Sequence, residues 1–175
     1  MFCTEIIAEI LFQSRHAWAK RASLGNAVNL QNYILPAEGI DWRGLLKHWT
    51  PPLPEDFSLW FVNRFGDIFG AAPDGGILRL DVGSGTCAVA ARSREEFARL
   101  LDLPANVDGW LRPSVVDACM RANITLSPGE CFGFRVPPTL QGTYDVSNLV
   151  PTRLDAHYSW LAHITRQDEI YWIEP

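Results

Sequence analysis

Apolar and polar positions alternate in short runs through the middle of the chain and follow helical spacing toward both ends. From Phe57 onward, FSLWFVNR, DIFGA, ILRLDV and TCAVAA are aromatic or β-branched runs separated by turn residues. Pro73-Asp74-Gly75-Gly76 and Gly83-Ser84-Gly85 supply the glycines that tight hairpins need. The pattern predicts an antiparallel meander of three or four strands. Ahead of it, Ile6, Ile7, Ile10, Leu11 and Trp18 recur at helical spacing, with Glu5, Glu9, Gln13 and Lys20 mainly on the other side. This predicts an amphipathic N-terminal helix that starts at Thr4 and ends before Gly25. Residues 25–40 read as a connection with little regular structure. Asp41 then caps a short helix carrying Trp42, Leu45, Leu46 and Trp49, which Pro51-Pro52 and Pro54 stop.

Beyond the meander, Ser93-Arg94-Glu95-Glu96 is a capping box, and Phe97, Leu100 and Leu101 give the helix it opens an apolar face. A second helix is predicted over Pro113 to Arg121, with proline in the first turn, where its missing donor costs least. CFGFRV reads as a further strand. Leu154, Tyr158, Leu161 and Thr165 share one helical face, and the tail DEIYWIEP is either an added strand or disordered. No repeat or clear linker interrupts the series. The expected architecture is one α+β domain over residues 40–175 with a central antiparallel sheet flanked by helices, preceded by an N-terminal helical extension over 1–39.

Composition narrows the function. With 47% hydrophobic and 20% charged residues, the 175-residue chain has the makings of a core and not of a disordered segment. Fifteen basic against twenty acidic residues, a net of −5, argues against direct nucleic-acid binding, which calls for a basic surface. Cys3, Cys87, Cys119 and Cys131 are scattered in apolar settings with no Cys-x-x-Cys pair, which predicts reduced, buried thiols. No apolar run approaches the ~20 residues that span a bilayer. Glu5 and Glu9 break the opening stretch, and no basic segment precedes it, so a cytoplasmic location is expected.

Catalytic signatures are missing. Gly83-x-Gly85 is too short for a phosphate loop, and no Gly-Lys-Ser/Thr occurs. His157 and His163, six apart, fall on different sides of a helix and do not make a metal pair. Gly-x-Ser-x-Gly is absent, and nothing marks Cys131 and His157 as partners. Glu55-Asp56 and Glu95-Glu96 are adjacent acids suited to helix starts or solvated turns. No catalytic, cofactor or metal residue is therefore assigned. What remains is a set of acids near predicted loops: Asp67, Asp74, Asp81, Asp102, Asp108, Glu130, Asp145 and Asp155. Gathered on one face, they would attract a basic partner and speed its capture.

The order of the motifs adds to this. DWRGLLKHWTPPLPEDF, NRFGDIF, a strand pair, SREEFARLLD and GECFGFRVPPTLQGTYDVSNLV together resemble the C-terminal domain of type VI secretion DNase-immunity proteins, from about Ile40 to Gln167. Asn63-Arg64-Phe65-Gly66-Asp67, the stretch at 128–134 and Pro-Pro-x-Leu-x-Gly at 137–142 are its better markers. The resemblance implies a small α+β domain similar to the SUKH group, without catalysis or cofactor. Its partner would be a cognate toxin, expected to be a nuclease. The chain departs from the family's Leu-Gly-Gly at Leu140-Gln141-Gly142. Candidate toxin contacts are Asp67, Asp74, Asp81, Glu130, Tyr144 and Asp145; the loops at 72–76 and 139–147 are the candidates for an acidic plug of the active site, the other route being an exosite or an inactive toxin conformation. The competing readings are an interaction adaptor unrelated to toxins and a small hydrolase.

Overall fold

The structure, a computed structural model, describes residues 30–36, 39–47, 49, 53–165 and 172–173. The expected N-terminal helix and Cys3 lie outside the described residues. Within them the meander forms as read: β1 (Ser58–Val62), β2 (Ile68–Ala71), β3 (Ile77–Asp81) and β4 (Thr86–Ala91) pair antiparallel in sequence order. The 72–76 and 82–85 segments are the turns between them, as the glycine pattern predicts. The tail supplies β7 (Trp172–Ile173), which adds parallel to β4 through Cys87 and Ala88. At the opposite edge, Ile34 bridges Asn63 and the Leu35 amide donates to the Val62 carbonyl at 2.8 Å. Tyr33, Ile34 and Leu35 are all buried and belong to the same core as the sheet.

Three helices follow β4: α2 (Arg94–Leu100), α3 (Pro104–Leu111) and α4 (Pro113–Arg121). Ser93 Oγ accepts from the Glu96 amide, and Glu96 reaches back to the Arg92 amide, one residue earlier than a capping box requires. Phe97 of α2 stacks on Trp110 of α3 at 5.1 Å, and both rings meet Phe69 of β2. A register shift between Leu59 and Phe61 in β1 lets the neighbouring Trp60 and Phe61 both contact Phe97. These rings make one continuous aromatic layer between sheet and helices.

The second layer is a separate hairpin, β5 (Glu130–Phe134) with β6 (Leu149–Arg153), and the long α5 (Leu154–Thr165) that follows directly. The Asp41-capped α1 (Trp42–Leu46) packs on α5, where Trp42 and Trp49 meet the fully buried Tyr158 edge-on. β5 is tied to the sheet through its Phe132 amide, which donates to the Arg64 carbonyl at 2.8 Å. Cys87, Cys119 and Cys131 are free and buried, as their settings suggested. Burial pushes the Cys87 thiol up to about 11 and raises the other two, which removes reactive thiolate at neutral pH. Among the described residues no helix is long and apolar enough to cross a membrane.

Candidate functional site

The motif residues gather at one end of β3, where the β3–β4 turn meets the loop joining β5 to β6. Asp67 lies at the centre and is fully buried. It accepts from Asn63 Nδ2 at 2.9 Å, Arg79 Nη2 at 3.0 Å and the Val82 amide at 3.1 Å. Asn63 in turn accepts from the Phe65 and Asp67 amides and donates to the Trp110 carbonyl, so the 63–67 turn is locked to α3. Arg79 also donates to Asp81 at 2.6 Å, and Asp81 accepts from the Ser84 amide at 3.0 Å. Burial and the nearby Asp81 push the Asp67 carboxyl up to about 6, against the pull of Arg79 and Asn63. Burial works against the Arg79 charge, but Asp67 and Asp81 outweigh it and hold the guanidinium protonated.

The loop over 135–148 has a second organiser. Asn148 takes the Val136 amide on Oδ1, while its Nδ2 donates to the Val136 and Thr143 carbonyls. Its backbone accepts from the Arg135 amide and donates to the Asp145 carbonyl. The Thr139 amide anchors the loop to the Gly83 carbonyl at 3.2 Å. Gly142 is required for closure, because a Cβ there would stand 1.7 Å from the Val136 carbonyl oxygen. Gln141 takes φ +64°, a conformation glycine enters freely, so the loop makes its turn despite the departure from Leu-Gly-Gly. At the surface this framework holds out Val136 and Leu140, 46% and 53% exposed.

Of the predicted contacts, Asp145 is exposed and accepts from Thr143 Oγ1 at 2.8 Å, and Asp74 is exposed at the β2–β3 turn, where it accepts from the Gly76 amide. Glu130 is half-buried at the start of β5, opposite Arg153, and accepts from the Ser127 amide. Tyr144 is half-buried, its ring meeting Phe65 and Phe134 edge-on with the Arg112 guanidinium 3.6 Å from its centre. Asp67 has no accessible surface, and Asp81 is mostly turned inward onto Arg79. Burial therefore makes Asp67 a framework residue. Asp67, Asp81 and Tyr144 are brought together, and Asp145 sits beside them on the surface. Asp74 is not part of this group: the five residues of β3 separate its turn from the β3–β4 turn by about 15 Å at the usual strand rise.

Sequence reasoning passed over Arg79, Arg112 and Asn148. Arg79 was readable, since it stands two residues before Asp81 on the same strand face. Arg112 and Asn148 carry no comparable local signal. The two groups weighed for nucleophilic chemistry are each committed to backbone: Cys131 Sγ donates to the Thr152 carbonyl, and His157 Nε2 donates to the Phe65 carbonyl at 3.0 Å. Burial drives His157 down to about 4, so it is neutral, with the proton on Nε2. His163 is exposed on the same helix, so the two histidines diverge as their spacing predicts. No group of His, Cys, Asp and Glu suited to a metal occurs among the described residues.

Known proteins bear on this arrangement in two ways. The chain resembles Atu4351 from Agrobacterium tumefaciens, known from a crystal structure, at a TM-score of 0.56 and 13% identity. That likeness covers 95% of this chain and 83% of the other, and it speaks for the α+β fold alone. No curated protein matches the sequence. A family model described as T6SS immunity protein Tdi1, C-terminal, matches residues 91–165, from the end of β4 to the end of α5. Over that segment, less than half of its length, the chain is similar to the type VI secretion immunity family that its motifs resemble.

Proposed function

We propose that the protein neutralises a secreted nuclease toxin by direct contact in the cytoplasm, with the 135–148 loop as its principal contact surface. The match over 91–165 is the observation that supports this reading, and Glu130, Tyr144 and Asp145 fall within its range. The geometry supports it. A loop tied by Asn148, Thr139 and Gly142 loses little freedom on binding, so its exposed side chains give up less affinity to ordering. Inhibition by occupancy, in a SUKH-like α+β domain over residues 40–175, needs no catalytic group. Cys131 and His157, both bonded to carbonyls, supply none.

Two modes of contact are distinguishable. Asp145, with Asp74 and Glu130 as outlying acids, suits the basic cleft of a nuclease and steered capture. Val136 and Leu140, rigidly presented, suit an apolar recess beside that cleft. The test is a titration against the toxin domain encoded beside this gene, with a nuclease assay alongside and salt varied. Stoichiometric binding that abolishes cleavage is expected. Asp145→Lys should weaken binding by about tenfold or more, most at low salt. Asp74→Lys is measured separately, because its turn lies at the far end of β3. An unchanged affinity in Leu140→Ala excludes the apolar mode, and an unchanged affinity in Asp145→Lys removes that carboxylate from the interface. Failure to bind any neighbouring toxin overturns the proposal.

A further inference from the structure

We infer that Arg112 is a positioning residue that fixes the shape of the 135–148 loop through Tyr144, an inference that rests on reading that loop as the contact surface. Arg112 is the one residue between α3 and α4, closing the first helix and opening the second. Its backbone is left-handed, with φ 48° and ψ 54°. A residue before proline is normally driven to the extended region, and an L side chain in the left-handed region is disfavoured as well. Glycine or asparagine would adopt this junction at lower cost. Neither occupies it, so the arginine side chain has to account for its place.

That side chain lies over the Tyr144 ring, with Cζ 3.6 Å from the ring centre. Phe65 and Phe134 meet the same ring edge-on, at 5.3 and 5.1 Å with interplanar angles of 82° and 89°. Gly83 leaves room for the hydroxyl, since a Cβ there would come within 2.8 Å of it and within 3.1 Å of Phe134. The ring is thus enclosed by the 63–67 turn, β5, the β3–β4 turn and the α3–α4 junction. Three of these enclosing groups lie in β-structure or its turns. Of the four, Arg112 is the group that ties the ring to the helical layer, and α4 also packs against residues 146–148 of the loop. Tyr144 stands between Thr143 and Asp145, both exposed, so wherever its ring is held those two side chains are presented. A strained junction in the helical layer thereby sets the presentation of Thr143 and Asp145, more than thirty positions later in sequence.

A purely structural arginine and a positioning one predict different outcomes for Arg112→Gly. Glycine removes the left-handed strain and the ring contact together, and these have opposing effects on stability. The full-length variant should melt within about 3 °C of the wild type. Backbone amides of residues 142–148, followed by hydrogen exchange, should nevertheless exchange about tenfold faster. Affinity for the neighbouring toxin should fall by about fivefold or more. Arg112→Lys, which keeps the charge and stem, should recover part of the protection. Tyr144→Leu should reproduce the loss, Tyr144→Phe should not, and combining Arg112→Gly with Tyr144→Leu should add little to either. Loop exchange within about twofold of wild type in both Arg112→Gly and Tyr144→Leu overturns the inference. Faster exchange with unchanged toxin affinity upholds the positioning role and defeats the reading of the loop as the contact. If Arg112→Gly does not fold, Tyr144→Leu decides by the same measurement.

Discussion

Replacing Asp67 by asparagine separates a framework role from a contact role. All three of its polar partners are donors: Asn63 Nδ2, Arg79 Nη2 and the Val82 amide. A carboxylate accepts from all of them, whereas an amide offers one oxygen and one NH2 group. With the new oxygen facing Asn63 and Arg79, the NH2 is set against the Val82 amide, and a buried backbone donor loses its acceptor. With the amide flipped, Asn63 and Arg79 lose theirs. The first arrangement costs less, because it deprives one donor where the flipped one deprives two and sets an NH2 against the Arg79 guanidinium. One orphaned buried donor sets the loss at about 2 kcal/mol. Alanine would orphan the Val82 amide, remove one of the two acceptors from Asn63 Nδ2 and from Arg79 Nη2, and leave a void, costing about 4 kcal/mol. Urea unfolding at pH 7 measures both. For an m-value of about 2 kcal/mol/M, the asparagine variant's midpoint should fall by about 1 M with unchanged slope. A loss under about 0.5 kcal/mol would mean that the three donors do not depend on this carboxylate. Because Asp67 is inaccessible, toxin affinity of the folded variant should stay within about twofold.

Acid stability gives a second prediction. His157 is held at about 4 against an ordinary 6.5, so the stability it confers is complete above 6.5 and is lost as pH falls toward 4. Asp67 is raised from 3.8 to about 6, so its contribution has the opposite sign, and stability is regained as pH falls from 6 toward 3.8. Each is worth about 3 kcal/mol at most, and in the wild type they oppose each other. Asp67→Asn should therefore lose stability between pH 6.5 and 4 more steeply than wild type, by about 3 kcal/mol over that range. Parallel pH series of urea midpoints for the two proteins would refute this. A third prediction concerns Gly142→Ala. The Cβ meets a backbone carbonyl that cannot swing aside, so the turn should open and the melting temperature fall by about 5 °C or more, measured by circular dichroism.

The sheet was readable because β1 to β4 are neighbours in sequence, and their hairpin turns are written in adjacent glycines. Two elements escaped. α3 has only eight residues, and Asp108-Gly109 interrupts its apolar positions, so no sustained helical period arises. β6 carries Pro151, which argues against a strand until the partner is known. Proline sits there opposite Phe132 on an exposed position of a two-stranded hairpin, where its missing donor is tolerated. The site was half readable for a related reason. Asn-Arg-Phe-Gly-Asp has turn composition, which suggested an exposed Asp67. Its burial depends on Arg79 and on the Trp110 carbonyl, twelve and forty-seven residues away from the turn residues they bind. No local pattern reports contacts of that range.

Both outer strands of the sheet are partly covered by remote parts of the chain: the end of β1 by Ile34 and Leu35, and Cys87 and Ala88 of β4 by Trp172 and Ile173. An uncovered outer strand is a template on which another molecule of the same kind can build. During synthesis, β4 leaves the ribosome about eighty residues ahead of the segment that covers it, several seconds at ordinary elongation rates. Through that interval the outer edge at Cys87 and Ala88 carries no strand, and crowded nascent chains are open to mispairing. Orderly folding therefore depends on the last strand docking promptly, and loss of residues 172–173 should show first as lower soluble yield.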